Sequence, residues 1–266
     1  MAPAPRPDPY QQITLCPKDG VVTVTLNRPP VNAVGRQMVR ELSRAFDEIE
    51  RDDAARAVVM TGGASKFFSA GADVGEFSRL SPAETADYLS EGSALWSRIE
   101  TFPKPVVAAV NGFALGGGAE LAFVCDVRIA GESARFGLPE ITLGLIPGWG
   151  GIQRLTRLIG KGRALELALT GRPLGAQEAL QAGLATQLVA DDDLQDRAFE
   201  AAKGLAAMAP LAVAAIKERI TAGLGQPPGE SARGDLETFL RVLRTQDAQE
   251  GIAAFLEKRA PRFHGR

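Results

Sequence analysis

The chain has 266 residues, with 30 Lys and Arg against 32 Asp and Glu, a formal charge of −2. That near balance argues against a nucleic-acid binder held by charge and against a polybasic membrane-surface protein. With 45% hydrophobic and 23% charged residues, it has the composition of an average soluble protein and the length to bury a sizeable core in one large domain or two small ones.

Residues 1–10 form a proline-alternating segment with one arginine, one acid and no apolar signal core. It is expected to be a disordered tail rather than a secretory signal or transit peptide. Val21–Asn27 alternates Val22, Val24 and Leu26 with Thr23 and Thr25, a strand pattern stopped by Pro29-Pro30. Val39, Leu42, Phe46 and Ile49 recur at helical spacing and predict an amphipathic helix over 36–50. Ala57–Met60 reads as a buried strand ended by Gly62-Gly63. Ser81-Pro82-Ala83-Glu84 is a capping box with proline in the first turn, and so opens a helix. Val106–Val110 and Val127–Ala130 are further short apolar strands. Strands alternating with helices predict an α/β core over 11–195.

From about residue 196 the pattern is helical. Ala198–Met208, Leu211–Thr221, Leu236–Arg244 and Gln249–Lys258 read as helices, with Pro210 and Pro227-Pro228 as breakers. The alanines of 201–215 suit close packing, including against another subunit. No segment has the roughly 20 apolar residues of a membrane span. The longest uncharged run, Pro105–Ala119, has 15 residues and four glycines.

The one histidine, His264, excludes sites needing two and disfavours Ser-His-Asp or Cys-His devices. Cys16 and Cys125 lack metal-ligand spacing and form no disulfide framework, so no metal is expected and a reducing cytoplasm is the expected setting. Asp191-Asp192-Asp193 reads as a solvated helix start.

The chemistry concentrates between residues 66 and 151. Lys66–Asp73, Asn111–Glu120, Phe136–Glu140 and Ile146–Gly151 are loops rich in Gly and Ala. Small residues let backbone N–H groups approach a ligand, and a helix starting at Gly117 would add unpaired donors for an oxyanion. Glu120 and Glu140 sit in these loops, 20 residues apart with a strand between them. Two carboxyls can divide acid and base work when their environments separate their pKa values. Each feature also has a plain structural reading: a tight turn for the glycines, helix capping for a glutamate, a turn for Asp73, core for Phe67 and Phe68. The dinucleotide, phosphate-loop and nucleophile-elbow motifs are each incomplete, at Leu121, Gly162 and Arg135.

Taken in order, these loops resemble the enoyl-CoA hydratase/isomerase, or crotonase, superfamily. The likeness also takes in Val24–Pro29 with Asn32-Ala33, Gly150-Gly151-x-Gln153-Arg154-Leu155, and Glu250–Arg259. It implies an α/β fold with a crotonase-like ββα spiral core and a helical C-terminal trimerisation region, giving a homotrimer or a dimer of trimers. It implies an acyl-CoA thioester substrate whose carbonyl is gripped by the amides of Ala72 and Gly117. Ala70, Asp73 and Val74 then lie beside the CoA moiety, and Phe239 and Lys258 match C-terminal CoA contacts that can come from a neighbouring subunit. Both family glutamates being present favours hydration of a 2-enoyl-CoA, with Glu120 as base and Glu140 as acid. CoA is then part of the substrate, and no metal or redox cofactor is implied. Trp149 and the phenylalanines are candidates for shaping the acyl pocket. The competing expectations are a Δ3-Δ2 enoyl-CoA isomerase, a specialised acyl-CoA hydratase, a non-catalytic acyl-CoA-binding scaffold and, last, a dehydrogenase.

Overall fold

A computed structural model of the chain describes residues 10–266. Most of the segment read as a tail thus lies outside the described residues. Its last residue, Tyr10, is buried, with the Arg44 guanidinium 4.3 Å over its ring, so Tyr10 packs with the core rather than with a tail.

Apolar runs with both faces buried build the middle of the central sheet, and half-exposed strands its edges. β1 (Ile13–Lys18) and β2 (Val21–Leu26) pair antiparallel and are followed by α1 (Arg36–Arg51). β3 (Ala57–Thr61) and the short β4 (Phe67–Ser69) lead to α2 (Val74–Phe77) and α3 (Pro82–Glu100). β5 (Val106–Val110), β6 (Phe113–Leu115) and α4 (Gly117–Val124) make the next turn. β7 (Val127–Gly131) and β8 (Arg135–Gly137) are followed by a 3₁₀ turn over Pro139–Leu143, then α5 (Gly151–Ile159) and α6 (Lys161–Thr170). β9 (Leu174–Gly175), α7 (Ala176–Gln181) and β10 (Gln187–Val189) close the core.

Two sheets result, in the order β1-β2-β3-β5-β7-β10 and β4-β6-β8-β9. β3, β5 and β7 each hand over to a short strand of the second sheet and then to a helical turn, the ββα unit repeated. Val58, Met60, Val106, Ala108 and Val110 face the main core. The alternate residues Ala57, Val59, Val107 and Ala109 face α8 (Leu194–Ala206), where Leu194, Ala198 and Ala202 cover them. Burial on both faces is why these strands read as continuous apolar runs. α8 crosses the expected boundary at 195/196 because it serves as the sheet's outer layer.

α9 (Pro210–Gly223), α10 (Pro228–Leu243) and α11 (Gln246–Leu256) follow, α10 packing on both neighbours. Pro210 and Pro228 stand in first turns and start helices, where a missing N–H costs nothing. For that reason α10 begins eight residues before the expected Leu236. Asp191–Asp193 is a 3₁₀ turn ahead of α8, and Asp191 is more than solvated: its Oδ1 accepts from the Ser133 amide and hydroxyl. The C-terminus folds back on α11. Asp247, 2% exposed, accepts from the amides of His264 and Gly265, and its own amide donates to the Arg266 carbonyl. Among the described residues no single helix is long and apolar enough to cross a membrane.

Candidate active site

The loops that follow β4, β6 and β8, and the segment Ile146–Gly151 ahead of α5, meet around Gly116 and Gly117. Gly116 has φ +50°, and a Cβ there would stand 2.9 Å from Glu140 Oε1, so only glycine lets the loop run against that carboxyl. The Gly116 amide donates to the Gly137 carbonyl, tying the loop to β8 just ahead of Glu140. On the other side, a Cβ on Gly71 would lie 2.9 Å from the Gly117 nitrogen, and one on Gly117 would lie 3.4 Å from the Ala72 nitrogen. The two expected donor peptides are therefore neighbours.

Their hydrogens are available. The helical ladder of α4 starts with the Glu120 amide donating to the Gly116 carbonyl, which leaves the Gly117 N–H as an orphan of the first turn. Val34 brackets Ala72: its amide donates to the Gly71 carbonyl at 2.7 Å and its carbonyl accepts from the Asp73 amide at 3.0 Å. Among the described residues neither the Ala72 nor the Gly117 amide donates to a protein acceptor.

Glu120 is 1% exposed in the first turn of α4. Its Oε1 accepts from the amides of Trp149 at 2.9 Å and Gly151 at 2.7 Å, at the N-terminus of α5. Burial pushes its pKa up to about 7; the Gly151 amide pulls it down, the nearby Glu140 charge adds to the rise, and the Trp149 amide and Arg154 oppose it. Glu140, in the 3₁₀ turn, is raised by burial as well, and its Oε2 is buried without a partner among the described residues. The donors on Glu120 favour its ionised form, whereas an unpartnered carboxyl oxygen favours the neutral form.

The remaining candidates separate into two groups. Ala70, Asp73 and Val74 flank Ala72. Val74 is exposed, but the Asp73 carboxylate is already engaged: it pairs with Arg28 and caps α2 through the Glu76 amide at 3.0 Å. Those bonds outweigh the rise from partial burial and hold Asp73 below the usual carboxylate range. Phe239 lies on α10, 63% exposed, and Lys258 follows α11 with φ +56°. Within one chain no hydrogen bond or ion pair among the described residues joins either to the loops. Trp149, expected in an acyl pocket, is instead 1% exposed, packed behind Gly117.

Sequence reasoning did not find the amides of Trp149 and Gly151 as the holders of Glu120, nor Arg154, which donates to the Trp149 carbonyl at 2.6 Å and pairs with Glu100 at 2.8 Å. The Gly150-Gly151 pair was the available signal, since a Cβ on Gly151 would lie 2.8 Å from Glu120 Oε1.

Comparison with known proteins identifies the family and the fold. Residues 17–266 match the sequence profile of the family described as enoyl-CoA hydratase/isomerase. A short-chain-enoyl-CoA hydratase of Clostridium acetobutylicum is 41% identical over 91% of this chain and 94% of its own length. A 2,3-dehydroadipyl-CoA hydratase of Escherichia coli is 41% identical over 92% of this chain and 96% of its own. The crystal structure of an enoyl-CoA hydratase from Bacillus anthracis superposes with a TM-score of 0.93 at 40% identity, covering 96% of this chain and all of that one. With its fold, its ββα loops and nearly its full length accounted for in this way, the chain belongs to the enoyl-CoA hydratase/isomerase family.

Proposed function

We propose that the protein is a hydro-lyase that reversibly adds water across the double bond of a 2-enoyl-CoA thioester, giving a 3-hydroxyacyl-CoA. The observation that carries this reading is the convergence of two carboxyls, buried Glu120 and half-buried Glu140, on the loops that carry two unpaired amides, Ala72 and Gly117.

In this reading the thioester oxygen lies at the two amides. Glu120, its Oε1 fixed by two donors, orients a water and takes its proton as the oxygen bonds to C3. The C2–C3 π electrons move toward the carbonyl, and the enolate-like charge is held by fixed N–H groups that need no reorganisation. Glu140 delivers its proton to C2. Water thereby contributes OH to C3, one proton reaches C2, and the two carboxyls exchange protonation states, which solvent resets. The reaction as written asks for no metal, nicotinamide or flavin. CoA would lie along Ala70, Asp73 and Val74.

Exposed apolar side chains on α9–α11, including Ile216, Ile220 and Phe239, support assembly as a homotrimer or dimer of trimers, in which Phe239 and Lys258 of one chain would reach CoA on another. A cytoplasmic place in fatty-acid β-oxidation suits the substrate class.

Crotonyl-CoA hydration followed through loss of the conjugated absorbance tests the reading. Glu120→Gln and Glu140→Gln should each lose about 10²–10⁴ of kcat while still binding butyryl-CoA. Near-normal turnover by either variant removes that residue from the mechanism. Fast conversion of a 3-enoyl-CoA to its 2-enoyl isomer, without hydration, would replace the reading by an isomerase.

A further inference from the structure

The two donor peptides belong to different loops, and an oxyanion site works only if their spacing is held. One helix reaches both. Tyr88, Gly92 and Trp96 of α3 are spaced four residues apart and share a face. The Tyr88 hydroxyl donates to the Val34 carbonyl, the same oxygen that accepts from the Asp73 amide. Val34 is the residue that brackets Ala72. Two turns further along, Trp96 Nε1 donates to the Gly117 carbonyl at 3.2 Å.

Trp149 fills the space between these two contacts. Its ring stands edge-on to Tyr88 at 5.4 Å and tilted against Trp96 at 5.0 Å. It lies so close to Gly117 and Gly92 that a Cβ would come within 2.2 Å of it at the first and 2.4 Å at the second. The same residue's amide holds Glu120 Oε1. All three rings are essentially buried. Aromatic rings with few rotatable bonds, packed at interior density, transmit position rather than absorb it.

We propose that Tyr88, Trp96 and Trp149 are positioning residues, an aromatic brace by which α3 sets the spacing of the Ala72 and Gly117 amides and their register with Glu120. The proposal rests on the oxyanion reading of those amides. It assigns the three rings no contact with substrate.

The probe is acetoacetyl-CoA, whose C2 proton is lost to solvent to leave a conjugated enolate with its own near-ultraviolet band. Paired N–H donors at the thioester oxygen raise the bound enolate fraction, and core stability alone does not. Tyr88→Phe removes one oxygen atom and keeps the ring; Trp96→Phe removes the N–H and keeps an aromatic. Each variant should lower kcat for crotonyl-CoA about threefold to tenfold and reduce the enolate band in step, since small misplacement in such sites costs rate steeply. KM and butyryl-CoA affinity should stay within about twofold, because uniform binding is untouched.

If the wild type hydrates crotonyl-CoA and both variants keep kcat and the enolate band within twofold, the brace is wrong and the site reading stands. Losses of rate that merely follow a lowered folded fraction also overturn the brace. If the wild type shows neither hydration nor an enolate band, the site reading falls and the brace with it.

Discussion

Around Glu120 and Glu140 polar groups are buried, and glycines bring backbone within touching distance of carboxyl and ring. On α9–α11 the reverse holds: Ile216, Ile220, Phe239, Ile252 and Phe255 stand exposed, and a Cβ on Gly229 would meet nothing within 4 Å. The first region places polar atoms where water is excluded, which destabilises it but sharpens its electrostatics. The second leaves apolar surface in water, which is stable for a chain only when something covers it. Site and surface are thus divided between loops and helices, and changes of one kind should have opposite consequences in the two.

Glycine substitution breaks the comparison most directly. Gly117→Ala would place a methyl 2.2 Å from the Trp149 ring and displace a donor peptide, so kcat/KM for crotonyl-CoA should fall about 10²–10³. Gly229→Ala on α10 meets nothing within 4 Å and should leave the rate unchanged. Equal losses in the two variants would erase the distinction.

Next comes pH. Glu120 has a folded pKa of about 7 against an ordinary value of 4.5. A raised carboxyl pKa means that the folded state holds the proton more tightly. Its full stability is present below about pH 4.5 and declines as pH rises through about 7. Glu120→Gln avoids that decline. It should match the wild type near pH 4 and exceed it by about 3 kcal/mol at pH 8, measured by urea unfolding. An unchanging difference across pH would mean that the charge is not strained.

Phe239→Ser tests the other region. If the face is covered between chains, the change should cost about 2 kcal/mol of association, seen by sedimentation as dissociation at lower dilution, while a solvated face predicts no change. The smallest effect is expected at Ser81, whose side chain and Glu84 close the capping box of α3. Ser81→Ala should cost about 1 kcal/mol and leave the rate within twofold.

What could be read from sequence follows from what carries a local signal. Val106–Val110 and the Ser81 cap were legible because burial on both faces and capping chemistry are written into consecutive residues. Glu120 and Glu140 were legible as acid–base candidates because one distal histidine left few alternatives. The second sheet was not, since β4, β6 and β8 have three residues each, too few to show a period. Nor were the partners of Glu120, 29 and 31 residues away, or the link from Tyr88 to Val34 across 54. These depend on how ββα turns stack, which no short window encodes. The prolines at 227 and 228 misled because the same residue stops one helix and starts the next.

The Asp247 carboxyl has a consequence for the protein's resistance to proteolysis. Its two side-chain bonds come from the backbone amides of His264 and Gly265, so the segment beyond α11 both covers and satisfies it. Leaving such a buried acceptor without donors costs about 1–3 kcal/mol, enough to loosen α11. Cleavage ahead of His264 would therefore expose further sites rather than act as harmless wear.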